Sequence, residues 1–396
     1  MPQRDEQVVG NIMNTWRDFA VEARKPEGRS GAAGCQLFLD HGLKIICSGN
    51  EEHYDYLIKR EAFIARKRVR SEIALALRTE AEGTGKGFWT RTRNRLFGLA
   101  AMQVRNPEHV MGKHNEHLET LLHLSADEAL FALDHRHRNA LYNLITEPEL
   151  TIEPKFIGAY SAKNHLNIDV LSNSDHFIPV SGTARRFFVP TVSSEKASDH
   201  PYFRKILDQM ENGGYEALLY HLLYEVDIRN FNVRAVPKTA ALAEQIAYSR
   251  KGIDLLVEKA CNEARVPCQG FPGYSVCSKW GDRREHESFD DFIDRHPDHE
   301  LKRMQALMVK RRLVRDWNCV SGNAARKTVA GYNDHGLLWP SLADLREKFE
   351  AKYGPQQWTS DATEWQEDAW PVNEEDEQER KRKEKKYDDQ PKDAKM

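Results

Sequence analysis

A glycine-rich turn with one lysine follows a short apolar run near residue 80. The apolar run covers 73–77, the turn reads Glu-Gly-Thr-Gly-Lys-Gly over 82–87, and helix-compatible sequence follows. Glycines let the main chain curl so that several backbone N–H groups point at one phosphate, and a lysine adds a point charge. We therefore predict a phosphate-binding loop (P-loop) for ATP. The predicted contacts are Gly83, Thr84, Gly85, Lys86 and Gly87.

Two positions of this turn depart from a full P-loop, which has glycine at position 80 and serine or threonine at position 87. This chain has Glu80 and Gly87. Without a hydroxyl at 87, the usual direct ligand to Mg²⁺ is missing, so Thr84 or water would have to replace it. Glu80 adds a carboxylate near the phosphates, and we expect it to reduce nucleotide affinity.

An acidic pair, Asp127 and Glu128, ends a second apolar run 41 residues after Lys86. The first carboxylate of such a pair can hold Mg²⁺, directly or through water. The second can polarise the water molecule that attacks the γ-phosphate. We therefore predict Asp127 as the metal ligand and Glu128 as the activating base.

Two further polar signals follow downstream. Asn173 ends a third apolar run and could orient the attacking water, although an asparagine there could equally cap a turn. Arg185 and Arg186 precede another apolar run. An arginine supplied by a neighbouring subunit could stabilise the charge of phosphoryl transfer, and a structural ion pair is the alternative for either one.

A basic and aromatic segment over 153–165 lies between the second and third apolar runs. It contains Lys155, Lys163 and His165 around a glycine turn. Such a loop could hold single-stranded DNA through charge and base stacking. An ordinary exposed hairpin would have the same sequence, so both interpretations stay open at this point.

Taken in order, these motifs resemble the superfamily 3 helicase module, and more narrowly the helicase half of phage and plasmid primase-polymerase proteins. The motifs are Gly-Thr-Gly-Lys at 83–86, Ala-Asp-Glu-Ala at 126–129, Leu-Ile-Thr-Glu at 144–147, Glu-Pro-Lys at 153–155, Ser-Asn at 172–173 and Arg-Arg-Phe at 185–187. The resemblance implies a P-loop NTPase core of the AAA+ kind. It also implies a homo-oligomer, usually a hexameric ring, with ATP and Mg²⁺ between subunits and single-stranded DNA threaded through the centre.

The resemblance also implies a role for each motif residue. Lys86 would bind phosphate, Asp127 would hold magnesium, Glu128 would be the base and Asn173 the sensor. Arg185 or Arg186 would be the trans-acting finger, and Lys155, Lys163 and His165 would fall in the loop that faces the pore. Full-length relatives carry a priming domain upstream, so a separately encoded primase or polymerase is an expected partner.

The apolar patterning predicts an α/β fold with a mainly parallel sheet. We expect a helical collar at 1–70, a core with a helical lid at 71–265, a winged-helix-like domain at 274–358 and a charged disordered tail at 359–396. Within these regions we expect a helix-like segment at 11–16, a helix at 88–97 with Arg91, Arg93 and Arg95 on its solvated side, and one helix that runs from 237 toward 264. A basic stretch at 301–317 in the third region is either a solvated helix face or a helix that grips DNA phosphates.

Composition limits the functional classes. The 396 residues carry a net charge of −3 and 40% hydrophobic residues, which excludes a uniformly basic nucleic-acid coat. Six scattered cysteines and the lack of an 18-residue apolar run predict a cytoplasmic protein without a membrane span. The predicted function is an ATP-dependent DNA helicase or translocase in phage or mobile-element replication. The alternative is a catalytically weak nucleotide- and DNA-binding assembly protein or prophage remnant.

Overall fold

The computed structural model divides the chain into two compact units, Met1–Ser249 and Arg250–Met396. The residues that the structure describes are 8–9, 12–13, 16, 18–106, 108–112, 114–127, 135–174, 177–178, 180, 184–250, 252–271, 273–275, 289, 292–293, 306–329 and 332–366.

The first unit begins with a small antiparallel pair followed by helices. Its elements are β1 (Val8–Val9), β2 (Ile12–Met13), α1 (Gly31–Gly34), α2 (Gln36–His41), a π-helical turn (Gly42–Ile46) and α3 (Glu51–Lys67). The sequence suggested a helix-like segment at 11–16, whereas Ile12 and Met13 form a strand. Phe38 of α2 is a packing residue, since its ring is buried and stacks on the ring of Trp89 at 4.7 Å between centroids.

Seven more strands follow among the described residues of the first unit. They are β3 (Ala74–Arg78), β4 (Ala101–Val104), β5 (His123–Asp127), β6 (Glu149–Ile152), β7 (Tyr160–Lys163), β8 (Asn167–Ser172) and β9 (Phe187–Phe188). Five of them form a parallel sheet in the order β4-β5-β8-β3-β9, and β6 and β7 form an antiparallel hairpin. The four residues Ala74 to Leu77 and all of β8 are buried, as expected for a sheet covered on both faces. The predicted α/β fold with a mainly parallel sheet is therefore confirmed.

Helices and short helical turns lie between these strands and after the last of them. They are α4 (Lys86–Phe97), α5 (Glu108–Met111), α6 (His135–Thr146), α7 (His200–Gln209), α8 (Tyr215–Tyr220) and α9 (Ala240–Tyr248), with 3₁₀ turns at Gly98–Ala100 and Glu116–Thr120 and π-helical turns at Met210–Gly214 and His221–Glu225. Three arginines of α4 were expected on its solvated side. Arg91 and Arg95 are exposed, but Arg93 is buried.

Arg93 is buried because it belongs to an ion network inside the first unit, which we call the core ion network. Its Nη1 lies 2.6 Å from Glu61 Oε1, and its Nη2 pairs with Asp169. Arg60 lies 3.0 Å from Glu61 and 3.7 Å from Asp169, and His123 Nε2 lies 3.2 Å from Asp169 Oδ2. Burial and both arginines lower the pKa of His123. The network therefore joins α3, α4, β5 and β8.

The second unit combines helices with an antiparallel sheet. Its elements are α10 (Ile253–Glu263), β10 (Gln269–Phe271), β11 (Tyr274–Ser275), α11 (Ala306–Trp317), β12 (Val320–Val329), β13 (Tyr332–Leu338) and α12 (Leu342–Tyr353). The strand order is β10-β11-β13-β12. The sequence suggested one helix from 237 toward 264, but two helices form. Gly252, with φ of 56°, separates them, and α10 belongs to this unit.

No helix among the described residues is long and apolar enough to cross a membrane. The expected tail at 359–396 is described only as far as residue 366.

Candidate nucleotide-binding site

The predicted phosphate loop connects the end of β3 to the start of α4. Gly83 and Gly85 have φ angles of 70° and 91°, in the left-handed region that glycine adopts without strain. Within the described part of the chain, the N–H groups of Gly83, Gly85 and Gly87 donate to no protein acceptor. Because the twelve-residue helix α4 begins at Lys86, its dipole adds positive potential at the same place. These features suit a phosphate.

Lys86 is buried and held between the ends of two strands. Its ammonium donates to Thr79 Oγ1 and, at 2.6 Å, to Asn173 Oδ1. The Thr79 hydroxyl in turn donates to the carbonyl of Ala81 at 2.7 Å and lies 3.2 Å from Thr84 Oγ1. The structure therefore brings together Lys86 and Asn173, which are 87 residues apart in sequence.

The acidic pair is only partly described. Asp127 is the last residue of β5 and is paired in register with Leu171 of β8, while Arg78 of β3 is paired with Ser172. Because Asn173 directly follows Ser172, the carboxyl ends of β3, β5 and β8 meet at one edge of the sheet. The main chain of Asp127 lies at this edge. Glu128 lies outside the described residues.

Other residues contact the loop from outside. A Cβ added to Gly85 would lie 2.5 Å from His41 Cε1 and 2.7 Å from Phe203 Cε1. A Cβ on Gly83 would lie 2.9 Å from Ser198 Oγ, and Ser198 N donates to the Gly83 carbonyl at 3.1 Å. Helix α2, helix α7 and the turn before α7 therefore fix the shape of the loop.

His41 is the most unusual of these contacts. It is fully buried, its Nδ1 lies 3.2 Å from the hydroxyl of Tyr202, and burial lowers its pKa to about 4. The imidazole therefore stays neutral at physiological pH. Because the ring is neutral, the fold does not have to bury a second positive charge near Lys86, which would be costly.

The two departures from a full P-loop can be placed. The side chain of Glu80 is 85% exposed, and its Oε1 lies 3.4 Å from Nη2 of Arg78. Its charge is thus partly compensated and well solvated. A Cβ on Gly87 would meet only the Arg91 guanidinium, at 3.5 Å, so the space there admits a side chain. Among the described residues, there is no group of three or more potential metal-ligating side chains.

The arginine candidates lie elsewhere. Arg185 and Arg186 precede β9, whose Phe187 is paired with Ala74 at the amino end of β3. Four residue steps along β3, roughly 13 Å, separate this level from its carboxyl end. Arg185 is exposed, whereas the guanidinium of Arg186 lies 4.8 Å from the centroid of the Tyr142 ring. Neither arginine is brought together with Lys86 in this chain.

The predicted DNA-binding residues are divided between a hairpin and the core. Lys155 lies at the tip of the β6–β7 hairpin, where Phe156 is 94% and Ile157 65% exposed, and its Nζ is 5.1 Å from the centroid of the Phe156 ring. Lys163 is exposed at the end of β7. His165 is only 8% exposed, which corrects its expected place in an exposed loop. Burial and Lys163 lower the pKa of His165 to about 4.

Several residues around the loop were not predicted from sequence. Thr79 could have been noticed as a hydroxyl at the start of the turn. His41 and Ser198 gave no local signal, because their contact with the loop depends entirely on tertiary packing.

Comparisons with known proteins match parts of this arrangement. A family of unknown function (DUF5906) matches residues 77–186, the segment that holds the loop, the acidic pair and Asn173. No curated protein matches the chain. An apo structure of the C-terminal region of NrS-1 covers 82% of this chain and 78% of that chain, with 16% identity and a TM-score of 0.54.

Two A-form apo structures of the same NrS-1 region are also similar. One covers 81% of this chain and 78% of that chain, with 14% identity and a TM-score of 0.54. The other covers 63% of this chain and 57% of that chain, with 17% identity and a TM-score of 0.49. At these sequence identities, the two NrS-1 structures with a TM-score of 0.54 show a shared fold.

Proposed function

We propose that the chain is an ATP-hydrolysing DNA translocase of the superfamily 3 helicase type, acting in phage or mobile-element replication. The observation that carries this proposal is the 2.6 Å contact between Lys86 and Asn173 beside the glycine turn at 82–87. A crevice at the carboxyl ends of parallel strands is where open α/β sheets bind their ligands. The order of the sheet supports this, because the chain leaves β3 for the far strand β4 and returns to place β8 beside it.

The residues of the chain would act in the following way. The amides of the turn and Lys86 would hold the β- and γ-phosphates, and Asn173 would orient the attacking water. A magnesium ion would neutralise charge on the phosphates. Asp127 would hold it, and Thr84 or water would replace the hydroxyl that Gly87 lacks. Glu128 would take the proton of the attacking water.

Hydrolysis would depend on a second subunit. Arg185 is exposed at the amino edge of the sheet, so it cannot serve its own phosphate loop but could reach that of a neighbour. This geometry supports a homo-oligomer, and a ring would surround single-stranded DNA. Arg186 is the weaker candidate, because it is engaged with Tyr142.

The hairpin tip is the proposed DNA contact. Phe156 presents a ring to solvent for stacking on a base, and Lys155 and Lys163 would contact phosphates. Hydrogen bonds hold the hairpin in place. The Asn115 side chain donates to the carbonyl of Thr151 and accepts from the N–H of Glu153, and the Tyr160 hydroxyl donates to Glu119 at 2.6 Å. A fixed hairpin with an exposed aromatic tip suits contact with a moving strand.

The function is tested by ATP hydrolysis with and without single-stranded DNA. Purified protein should hydrolyse ATP, and DNA should stimulate it. Lys86→Ala and Glu128→Gln should reduce turnover to background, whereas Phe156→Ala should retain DNA-free turnover and lose the stimulation. Equal turnover in the parent protein, Lys86→Ala and Glu128→Gln would contradict the assigned site.

A second candidate function is nucleotide and DNA binding without useful turnover. Gly87 favours it, because a direct hydroxyl ligand for magnesium is missing. The variant Gly87→Ser distinguishes the two candidates, since the helix start has room for the side chain. Turnover that appears only in Gly87→Ser would identify the parent as a binding protein.

A further inference from the structure

Helix α11 of the second unit is anchored by one face. Val309, Leu313 and Trp317 are buried, and the ring of Trp317 stacks on Phe349 of α12 at 5.7 Å between centroids. These residues recur at a spacing of four, so they form one stripe along the helix. The stripe fixes the orientation of α11 on its unit and leaves the opposite face toward solvent.

The outer face of α11 combines exposed apolar and basic side chains. Leu307, Met308 and Val314 are 56%, 51% and 36% exposed. Exposed apolar side chains that are grouped on one surface and bordered by polar ones are typical of interaction sites. The basic side chains of the helix are Lys310, Arg311, Arg312 and Arg315, and the only acidic one is Asp316. Arg315 pairs with Asp316 at 2.6 Å. Because the four basic side chains outnumber the one acidic side chain, the helix keeps a net positive charge.

A β-hairpin follows α11 directly in the chain. Strands β12 and β13 form a hairpin directly after the helix, and β13 is also paired with β11. A helix that is followed by such a hairpin has the arrangement of a winged helix. In helix-turn-helix proteins of this general kind, one helix lies in the major groove and neighbouring elements contact the backbone.

We propose that the outer face of α11 binds duplex DNA in its major groove, as a site separate from the proposed hairpin contact for single strands. Arg311 and Arg315 lie one turn apart and would contact phosphates or guanine edges, while Leu307 and Met308 would pack against bases. A helix of about 10–12 Å in diameter fits a groove about 12 Å wide. The positive charge favours DNA over an apolar protein surface.

The test is the affinity for a fluorescent duplex measured by anisotropy at several salt concentrations. The double variant Arg311→Glu/Arg315→Glu should bind about tenfold more weakly or worse, and its salt dependence should be smaller by about two phosphate contacts. Arg24→Glu/Arg229→Glu makes the same charge change at exposed positions of the first unit and should bind within about twofold of the parent.

A milder variant keeps the test valid if the double variant misfolds. Leu307→Ser should weaken duplex binding without changing the salt dependence, because it removes only an apolar contact. DNA-free ATP hydrolysis should be unchanged in all these variants, so the result is independent of the proposed catalysis. Unchanged duplex affinity, an equal loss in the Arg24/Arg229 control, or binding of acidic peptides alone would overturn the proposal.

Discussion

At the scale of single residues, the site depends on a lysine that the fold buries and positions. The ammonium of Lys86 contacts Thr79 and Asn173, which lie at the ends of two strands. The loop that carries Lys86 also packs against His41 and Phe203. The glycines therefore have two tasks. They adopt positive φ angles that shape the proposed phosphate loop, and they leave space for the side chains that pack against it.

Replacing Gly85 by alanine separates these two tasks. At Gly49, φ is 78° and nothing lies within 4 Å of an added Cβ, so Gly49→Ala measures the backbone cost alone, about 1–2 kcal/mol. Gly85→Ala should cost a further ~1–3 kcal/mol through overlap with His41 and Phe203. Urea unfolding of both variants measures the difference. Equal losses would mean that the packing against His41 does not constrain the loop.

His41 predicts a pH dependence of stability. Its pKa is about 4 in the folded chain, against an ordinary value near 6.5, because burial disfavours the charged ring. Between these values the unfolded chain binds more protons, so the free energy of unfolding should fall as pH decreases from 6.5 toward 4. His165 contributes in the same direction.

Chemical denaturation at pH 7.5 and pH 5 checks this prediction. His41→Gln should reduce the loss between the two pH values, while the exposed control His114→Gln should leave it unchanged. If His41→Gln and the parent lost the same stability, the imidazole would not be held neutral in the fold.

At the scale of elements, the core ion network fixes α4 relative to the sheet. Asp169 of β8 lies four residues before Asn173, which follows the end of that strand. His123 of β5 lies four residues before Asp127, the last residue of that strand. Arg93 pairs with Asp169 from within α4. The helix that carries Lys86 is thus tied to the two strands that end at the site. Buried ion pairs are costly, so we interpret this network as a device for positioning rather than for stability.

Removing one carboxylate should nevertheless be strongly destabilising, because it leaves a buried charge without its partner. Asp169→Ala leaves the buried Arg60 and Arg93 undercompensated and should cost about 3–5 kcal/mol. Asp227→Ala removes an exposed partner of Arg229 and should cause little change. The free energy of unfolding in urea compares the two variants. Similar stability of both would show that the network is not required for the fold.

Sequence patterns predicted the parallel sheet and the positions of β3, β5 and β8, because buried parallel strands are short apolar runs. They also singled out Lys86 and Asn173, whose side chains the structure brings together, since glycine turns and polar strand ends have local signals. They placed Arg93 and His165 on the surface, and both are buried. Helical spacing and charge cannot show that a distant carboxylate compensates an arginine inside the core.

At the scale of the whole molecule, the proposed function requires a site shared between subunits. Arg185 stands at the amino edge of the sheet and Lys86 at the carboxyl edge, so an arginine finger would have to come from a neighbour. Lys86→Ala and Arg185→Ala should each be inactive alone. Mixing them should restore part of the turnover, because some interfaces then combine an intact Lys86 with an intact Arg185.

The mixing result is read as ATP hydrolysis per chain at fixed total protein. A mixture no more active than its components would rule out a finger from Arg185. In that case Arg186→Ala provides the comparison, although its contact with Tyr142 makes it the less available arginine.

The proposed function depends on the binding of a triphosphate where Lys86 and Asn173 meet. Calorimetric titration of the protein with ATP and magnesium measures this binding without requiring turnover. We expect the parent and the exposed control Lys163→Ala to bind with the same affinity. Lys86→Ala should bind at least about tenfold more weakly, as loss of a charged phosphate contact implies. Unchanged affinity in Lys86→Ala, or no binding by the parent protein, would contradict the proposed triphosphate site.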